Sequence, residues 1–92
     1  MKYKLLYPES YIKRAKKFLK KHPEVVRQYQ KTLLLLELDP FHPSLRLHQL
    51  EGRLKGLSSV SINISYRIVI EFEIRDEEIL LVNVGSHQDV YK

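Results

Sequence analysis

Six side chains in this sequence carry chemistry that a charged oxygen centre would need: Arg46, His48, Lys55, Arg67, His87 and Tyr91. Histidine can take or give a proton near neutral pH, because its ordinary pKa lies there. Arginine offers a planar, permanently charged fork that matches two oxygens of a phosphate. A tyrosine can stack on an unpaired base. Together such groups are enough to cleave RNA without a metal. A base removes the 2′-OH proton, the alkoxide attacks the adjacent phosphate, cations hold the growing charge, and an acid protonates the leaving 5′ oxygen. The residue types leave a second reading open. Loop histidines are often merely solvated, Arg67 could pair with Glu71, and Tyr91 could pack on a sheet edge.

Other chemistries are poorly served. There is no cysteine, which excludes disulfides, thiolate zinc sites and cysteine nucleophiles. The histidines are scattered, and no carboxylate stands beside them at ligand spacing, so no metal and no cofactor is expected. The phosphate-cradling glycine pattern, HExxH and GxSxG are all absent. His22 and His42 adjoin prolines at helix ends, where capping or solvation is the expected role.

The elements that must position these groups follow from periodicity. Lys2 to Tyr7 reads as a short strand ended by Pro8. A helix is expected from Glu9 to about Lys21. Tyr11, Ile12, Ala15, Phe18 and Leu19 gather on one arc, with Lys13, Arg14, Lys16, Lys17, Lys20 and Lys21 on the other. Pro23 suits the first turn of a second helix, on which Val25, Val26, Tyr29, Leu33 and Leu36 share a face. Leu34, Leu35 and Leu38 fall outside it, so this helix is either buried on several sides or offers apolar surface to a partner. Asp39-Pro40-Phe41-His42-Pro43 ends it. Leu45 to Gly56 reads as an ordered loop with turns at Gly52 and Gly56. Leu57–Ile64 and Tyr66–Ile74 alternate with the two-residue period of half-exposed strands. Asn63 to Ser65 and Arg75 to Glu78 read as the turns, and Ile79–Val84, apolar on both faces, as the central strand.

The fold class expected is α+β, in the order β-α-α-β-β-β. A helical hairpin packs on one face of a small, mostly antiparallel twisted sheet, in a single domain spanning 1–92. The other face is expected to be open and to carry Ser59, Ser61 and Arg67. Hydrophobic residues make up 43% of the chain and charged residues 29%, a balance that suits a globular core rather than disorder. No apolar run approaches membrane-spanning length, MKYKLLYPES does not read as a signal peptide, and a cytoplasmic location is expected. The net charge is +5. Residues 1–45 hold 10 Lys/Arg against 4 Asp/Glu, and residues 46–92 hold 6 against 7. A basic first half suggests a polyanionic or acidic partner.

Four words of the sequence, in this order, resemble the RelE/ParE superfamily of toxins from bacterial type II toxin–antitoxin systems. They are the loop DP-x-HP-x-LRLHQLEGRLKG, the hairpin L-x-x-x-S-I-N-I-S-Y-R-I-V-I, the turn RDEE and the terminal VGSHQDVY. The resemblance covers nearly the whole chain. It implies a ribonuclease that cuts mRNA, typically in the ribosomal A site, and a cognate antitoxin. On the motifs that match, it assigns catalytic roles to His48, His87, Arg67 and Tyr91. Arg46, Lys55, Tyr66 and Ser61 are the accompanying candidates for RNA contact. Ser61 and Ser65 stand where YafQ-type members carry a further histidine and an aspartate. Ser59 and Ser61 stand where RelE-type members carry lysines. ParE-like members act instead on DNA gyrase, which is the alternative target, and a module that only binds antitoxin is a further one. An acidic, amphipathic antitoxin would suit Lys13, Lys16, Lys17 and Lys20 with its carboxylates, and Leu34 and Leu35 with its apolar side.

Overall fold

The computed structural model describes residues 2–73 and 76–91. Its five strands are β1 (Lys4–Leu6), β2 (His48–Gln49), β3 (Ser58–Ser61), β4 (Tyr66–Glu73) and β5 (Glu78–Ser86). Its α-helices are α1 (Glu9–Lys21), α2 (Val26–Leu38) and the four-residue α3 (His87–Val90). The strands form one mixed sheet in the order β1-β5-β4-β3-β2. β1 runs parallel to β5 and every other pair is antiparallel. The α+β class and the antiparallel meander are as expected. The expected strand end at Ile74 and turn residue Arg75 lie outside the described residues.

The helical hairpin forms as its periodicity dictates. Tyr11, Ala15 and Phe18 of α1 and Tyr29, Thr32 and Leu36 of α2 are buried. They pack on Val60, Ile62, Ile68, Ile70, Ile79, Leu81 and Val84 from one face of the sheet. Inside this layer the hydroxyls of Tyr11 and Tyr29 share a hydrogen bond of 2.6 Å, which satisfies two polar groups that burial would otherwise leave costly. Pro23 opens the second helix as a 3-10 turn, Pro23–Val25, because the missing N–H costs nothing there.

Four expectations need correction. The loop from Leu45 contributes a short edge strand, β2, paired to β3 through His48↔Ser59 and Gln49↔Ser58. β5 is interior, but β4 is the middle strand, and β5 continues two residues past Val84 to Ser86. Leu34 is 61% exposed, whereas Leu35 is half-buried against the core and is not part of an open apolar surface. The second sheet face is not open. Leu50, Val69 and Val90 are buried there, with Leu54, Leu57, Val82 and Tyr91 packed around them. The cover is built by the 50–57 loop, closed by Leu50 N–H donating to the Leu57 carbonyl (2.9 Å), and by α3 folding back over the sheet. Gly52 (φ 65°) and Gly56 (φ 99°) turn that loop in the left-handed region that glycine adopts without strain.

Candidate functional site

The second face of the sheet positions a connected set of side chains. Arg67 on β4 sits opposite Ser61 of β3 and Gly85 of β5. Its Nε donates to Ser59 Oγ (3.0 Å), and its NH2 group donates to the Arg46 carbonyl (2.9 Å) and lies 3.3 Å from His48 Nδ1. Ser59 Oγ in turn lies 2.7 Å from the Tyr91 hydroxyl. The Tyr91 ring meets the His87 ring edge to face, with centroids 4.2 Å apart at 89°. A continuous line therefore runs His48–Arg67–Ser59–Tyr91–His87 across three strands and α3.

Local structure explains each position. The Arg46 carbonyl points at Arg67 because Arg46 takes a left-handed backbone (φ 48°) at the end of the 3-10 turn Pro43–Leu45. A non-glycine residue in that conformation costs about 1–2 kcal/mol. His42 caps the turn by accepting from Ser44 N–H (3.2 Å), the capping role expected of it. His87 begins α3, whose N-cap Ser86 accepts from Asp89 N–H (3.2 Å). Gly85 lets α3 lie close on β5, since a Cβ there would stand 3.2 Å from Asp89 Cβ.

The Arg67 contact also selects the His48 tautomer. A guanidinium only donates, so His48 Nδ1 must accept, and the ring's proton then sits on Nε2. His48 thus holds an N–H donor on the atom that Arg67 leaves free. Ser59 is fully buried. One of its oxygen's acceptor positions is taken by Arg67 Nε, and the remaining capacity is shared with Tyr91. Arg67 is half-buried, while His48 and His87 are exposed.

His48, Gln49, Leu50, Glu51, Arg53, Leu54, His87 and Tyr91 line a cavity of about 380 Å³. The sequence-derived residues His48, Arg67, His87 and Tyr91 come together, and Arg46 joins them through its backbone. Three others do not. Tyr66 lies on the helical face, its ring packed on Phe18 and His22 and its hydroxyl 3.2 Å from His22 Nδ1. It therefore cannot stack a base beside Arg67, because neighbouring residues of a strand point to opposite faces. Ser61 shares the Arg67 face but donates its hydroxyl to the Asn63 carbonyl (2.7 Å), which ties it to the β3–β4 turn. Lys55 is exposed and lines a second, larger cavity. The role of Ser59 escaped sequence reasoning, since alternation made it look like a solvent-facing serine. The wall residues Glu51 and Arg53 had no signal beyond their nearness to His48. Among the described residues no three His, Asp or Glu side chains are grouped to hold a metal, and no helix is long and apolar enough to cross a membrane.

Solved structures share this architecture. A chain of the Escherichia coli DinJ–YafQ toxin–antitoxin complex superposes with a TM-score of 0.78 at 16% identity, covering 100% of both chains. A copper-bound mutant toxin from Helicobacter pylori gives 0.68 at 27% identity, covering 98% of this chain and 99% of that one. The YoeB–YefM toxin–antitoxin complex of Staphylococcus aureus gives 0.69 at 17%, covering 95% and 99%. This is the RelE/YafQ-type toxin fold. No family model and no curated protein matches the sequence. Within the RelE/YafQ-type fold, the β2–β3–β4 edge and the chain's C-terminal turn carry the clustered side chains described above.

Proposed function

We propose that this chain is the toxin of a toxin–antitoxin pair and an endoribonuclease that cuts mRNA without a metal. The observation that carries the reading is the Arg67 node. One guanidinium is held rigidly by Ser59 and the Arg46 carbonyl, between one histidine it contacts directly and another it reaches through Ser59 and Tyr91. A phosphate placed against Arg67 meets preorganised charge, which is worth most where charge develops in the transition state.

The geometry supports the following roles. His87 has an exposed ring resting on Tyr91 and takes the proton from the 2′-OH. The alkoxide attacks the neighbouring phosphorus, and Arg67 stabilises the charge on the phosphate oxygens. When the phosphate takes over the contact from the Arg67 NH2 group, His48 Nδ1 is free to hold a proton, and the resulting imidazolium gives its Nε2 proton to the departing 5′ oxygen and returns to the neutral ring. The products are a 2′,3′-cyclic phosphate and a 5′-hydroxyl end. Tyr91 orients His87 and presents ring surface to a base. Arg46, exposed beside the node, contacts flanking phosphates. A partner antitoxin and an mRNA target on the ribosome complete the reading.

The test is induced expression of wild type and His87→Ala, with mapping of mRNA 5′ ends and a parallel DNA gyrase assay. Wild type is expected to arrest growth with new mRNA 5′ ends, and His87→Ala to be folded and harmless. Arrest with intact mRNA and inhibited gyrase would favour the ParE-like alternative.

A further inference from the structure

A second cavity of about 850 Å³ adjoins the first and shares His48, Gln49, Leu50 and Glu51 with it. Its volume falls in the range of sites that bury small ligands. The far wall is aromatic. Phe41 stacks on Phe72 with centroids 5.8 Å apart and planes at 2°, and Tyr3 meets Phe72 edge-on at 6.4 Å. Phe41 is nonetheless 64% exposed, although its backbone N–H donates to Asp39 Oδ1 (3.0 Å) and so ties the turn. Lys55 also lines the cavity.

We propose that this cavity is a nucleobase subsite. It takes an unpaired base of the RNA strand whose scissile phosphate lies at Arg67, with the base stacked on Phe41 and the adjoining phosphate paired with Lys55. The inference rests on the ribonuclease reading above and extends it. Three observations select RNA as the occupant. The cavity shares a wall, His48 to Glu51, with the cavity of the candidate site, so the two lie side by side. An exposed aromatic face and a lysine lining one cavity are the parts that hold single-stranded nucleic acid, a stacking platform with a backbone cation. The ring is also presented rigidly, because Phe72 backs it in a parallel stack, which lowers the ordering cost on binding.

The experiment uses the intact protein and a short single-stranded RNA. A 2′-O-methyl group blocks attack at one linkage, and 2-aminopurine is placed at successive positions along the strand. Wild type is expected to quench the fluorophore strongly at one position flanking the blocked linkage. Phe41→Ala should lose that quench and bind about tenfold more weakly. Phe41→Trp, which restores a ring, should recover both. Lys55→Ala should lower the salt dependence of binding by about one counterion. The quench should survive in Arg67→Ala at saturating RNA. If Phe41→Ala binds and quenches like wild type while Arg67→Ala weakens binding, the subsite is wrong and the ribonuclease reading stands. If wild type binds no RNA, both fall. If Phe41→Ala leaves RNA unaffected but weakens the antitoxin, the wall is a protein interface instead, and the subsite is overturned.

Discussion

Arg67 is held by contacts to three residues, so its replacement tests more than a charge. Arg67→Ala should lower cleavage by about 10²–10³-fold, or about 2.7–4 kcal/mol of transition-state stabilisation. Arg67→Lys should recover little, since an ammonium cannot reproduce the fork that reaches Ser59 and the Arg46 carbonyl together. Single-turnover rates at saturating RNA check this. A change confined to affinity would make Arg67 a uniform binder. At this scale the sequence was partly legible. His48, Arg67, His87 and Tyr91, which the structure brings together, are singled out by residue type and motif position. Ser59 is not, because a Ser-x-Ser alternation carries no sign of what covers it. Tyr66 was misplaced because its neighbour Arg67 drew it into the site, although the strand period sends the two to opposite faces.

The helices and main strands were legible because their apolar periods are long and uninterrupted. Their pairing leaves a measurable signature in the Tyr11–Tyr29 hydrogen bond. Burial is the largest cause raising Tyr11, reinforced by Tyr29, and burial likewise raises Tyr29, against the opposing pull of its hydrogen bond to Tyr11. Both folded values lie above the ordinary value of 10.0. Their contribution is therefore fully present below about pH 10, where the unfolded chain also keeps its phenols protonated. It is lost as pH rises further, because the unfolded state then releases protons that the folded state holds. Denaturant unfolding at pH 8 and pH 11 should show this loss in wild type and much less of it in the Tyr11→Phe/Tyr29→Phe double variant. At pH 8, Tyr11→Phe alone should cost about 1–3 kcal/mol, since it strands the other buried hydroxyl. The covering layer of the second face was not legible. Leu50, Leu54, Leu57 and Val90 come from a loop and a four-residue helix, which have no period to read.

For the whole molecule, charge and apolar exposure are unevenly spread. Lys13, Lys16, Lys17 and Lys20 are exposed on α1, as expected, while Arg14 turns back to donate to the Val82 carbonyl (3.0 Å). Leu34 and Leu38 are exposed on α2. If an acidic antitoxin segment docks on this hairpin, charge reversal at Lys13 and Lys17 should slow association and flatten its salt dependence. Leu34→Asp should speed dissociation more severely, and because Leu34 is exposed the variant should stay folded. Leu35→Asp is uninformative there, since Leu35 packs on the core. Association and dissociation rates at two salt concentrations decide this, and wild-type rates in both variants would move the antitoxin elsewhere. The central claim, metal-independent RNA cleavage at the Arg67 node, has a more direct test. Purified wild-type and Arg67→Ala protein would be mixed with ribosome-bound mRNA, and both ends at each break analysed. An EDTA-treated protein sample would be assayed alongside, after transfer to chelator-free buffer so that the ribosomes stay intact. The expected ends are 2′,3′-cyclic phosphate and 5′-hydroxyl, unchanged by chelator treatment and strongly reduced in Arg67→Ala. Intact mRNA, 3′-hydroxyl ends, or cleavage abolished by chelation and restored by added metal would contradict it.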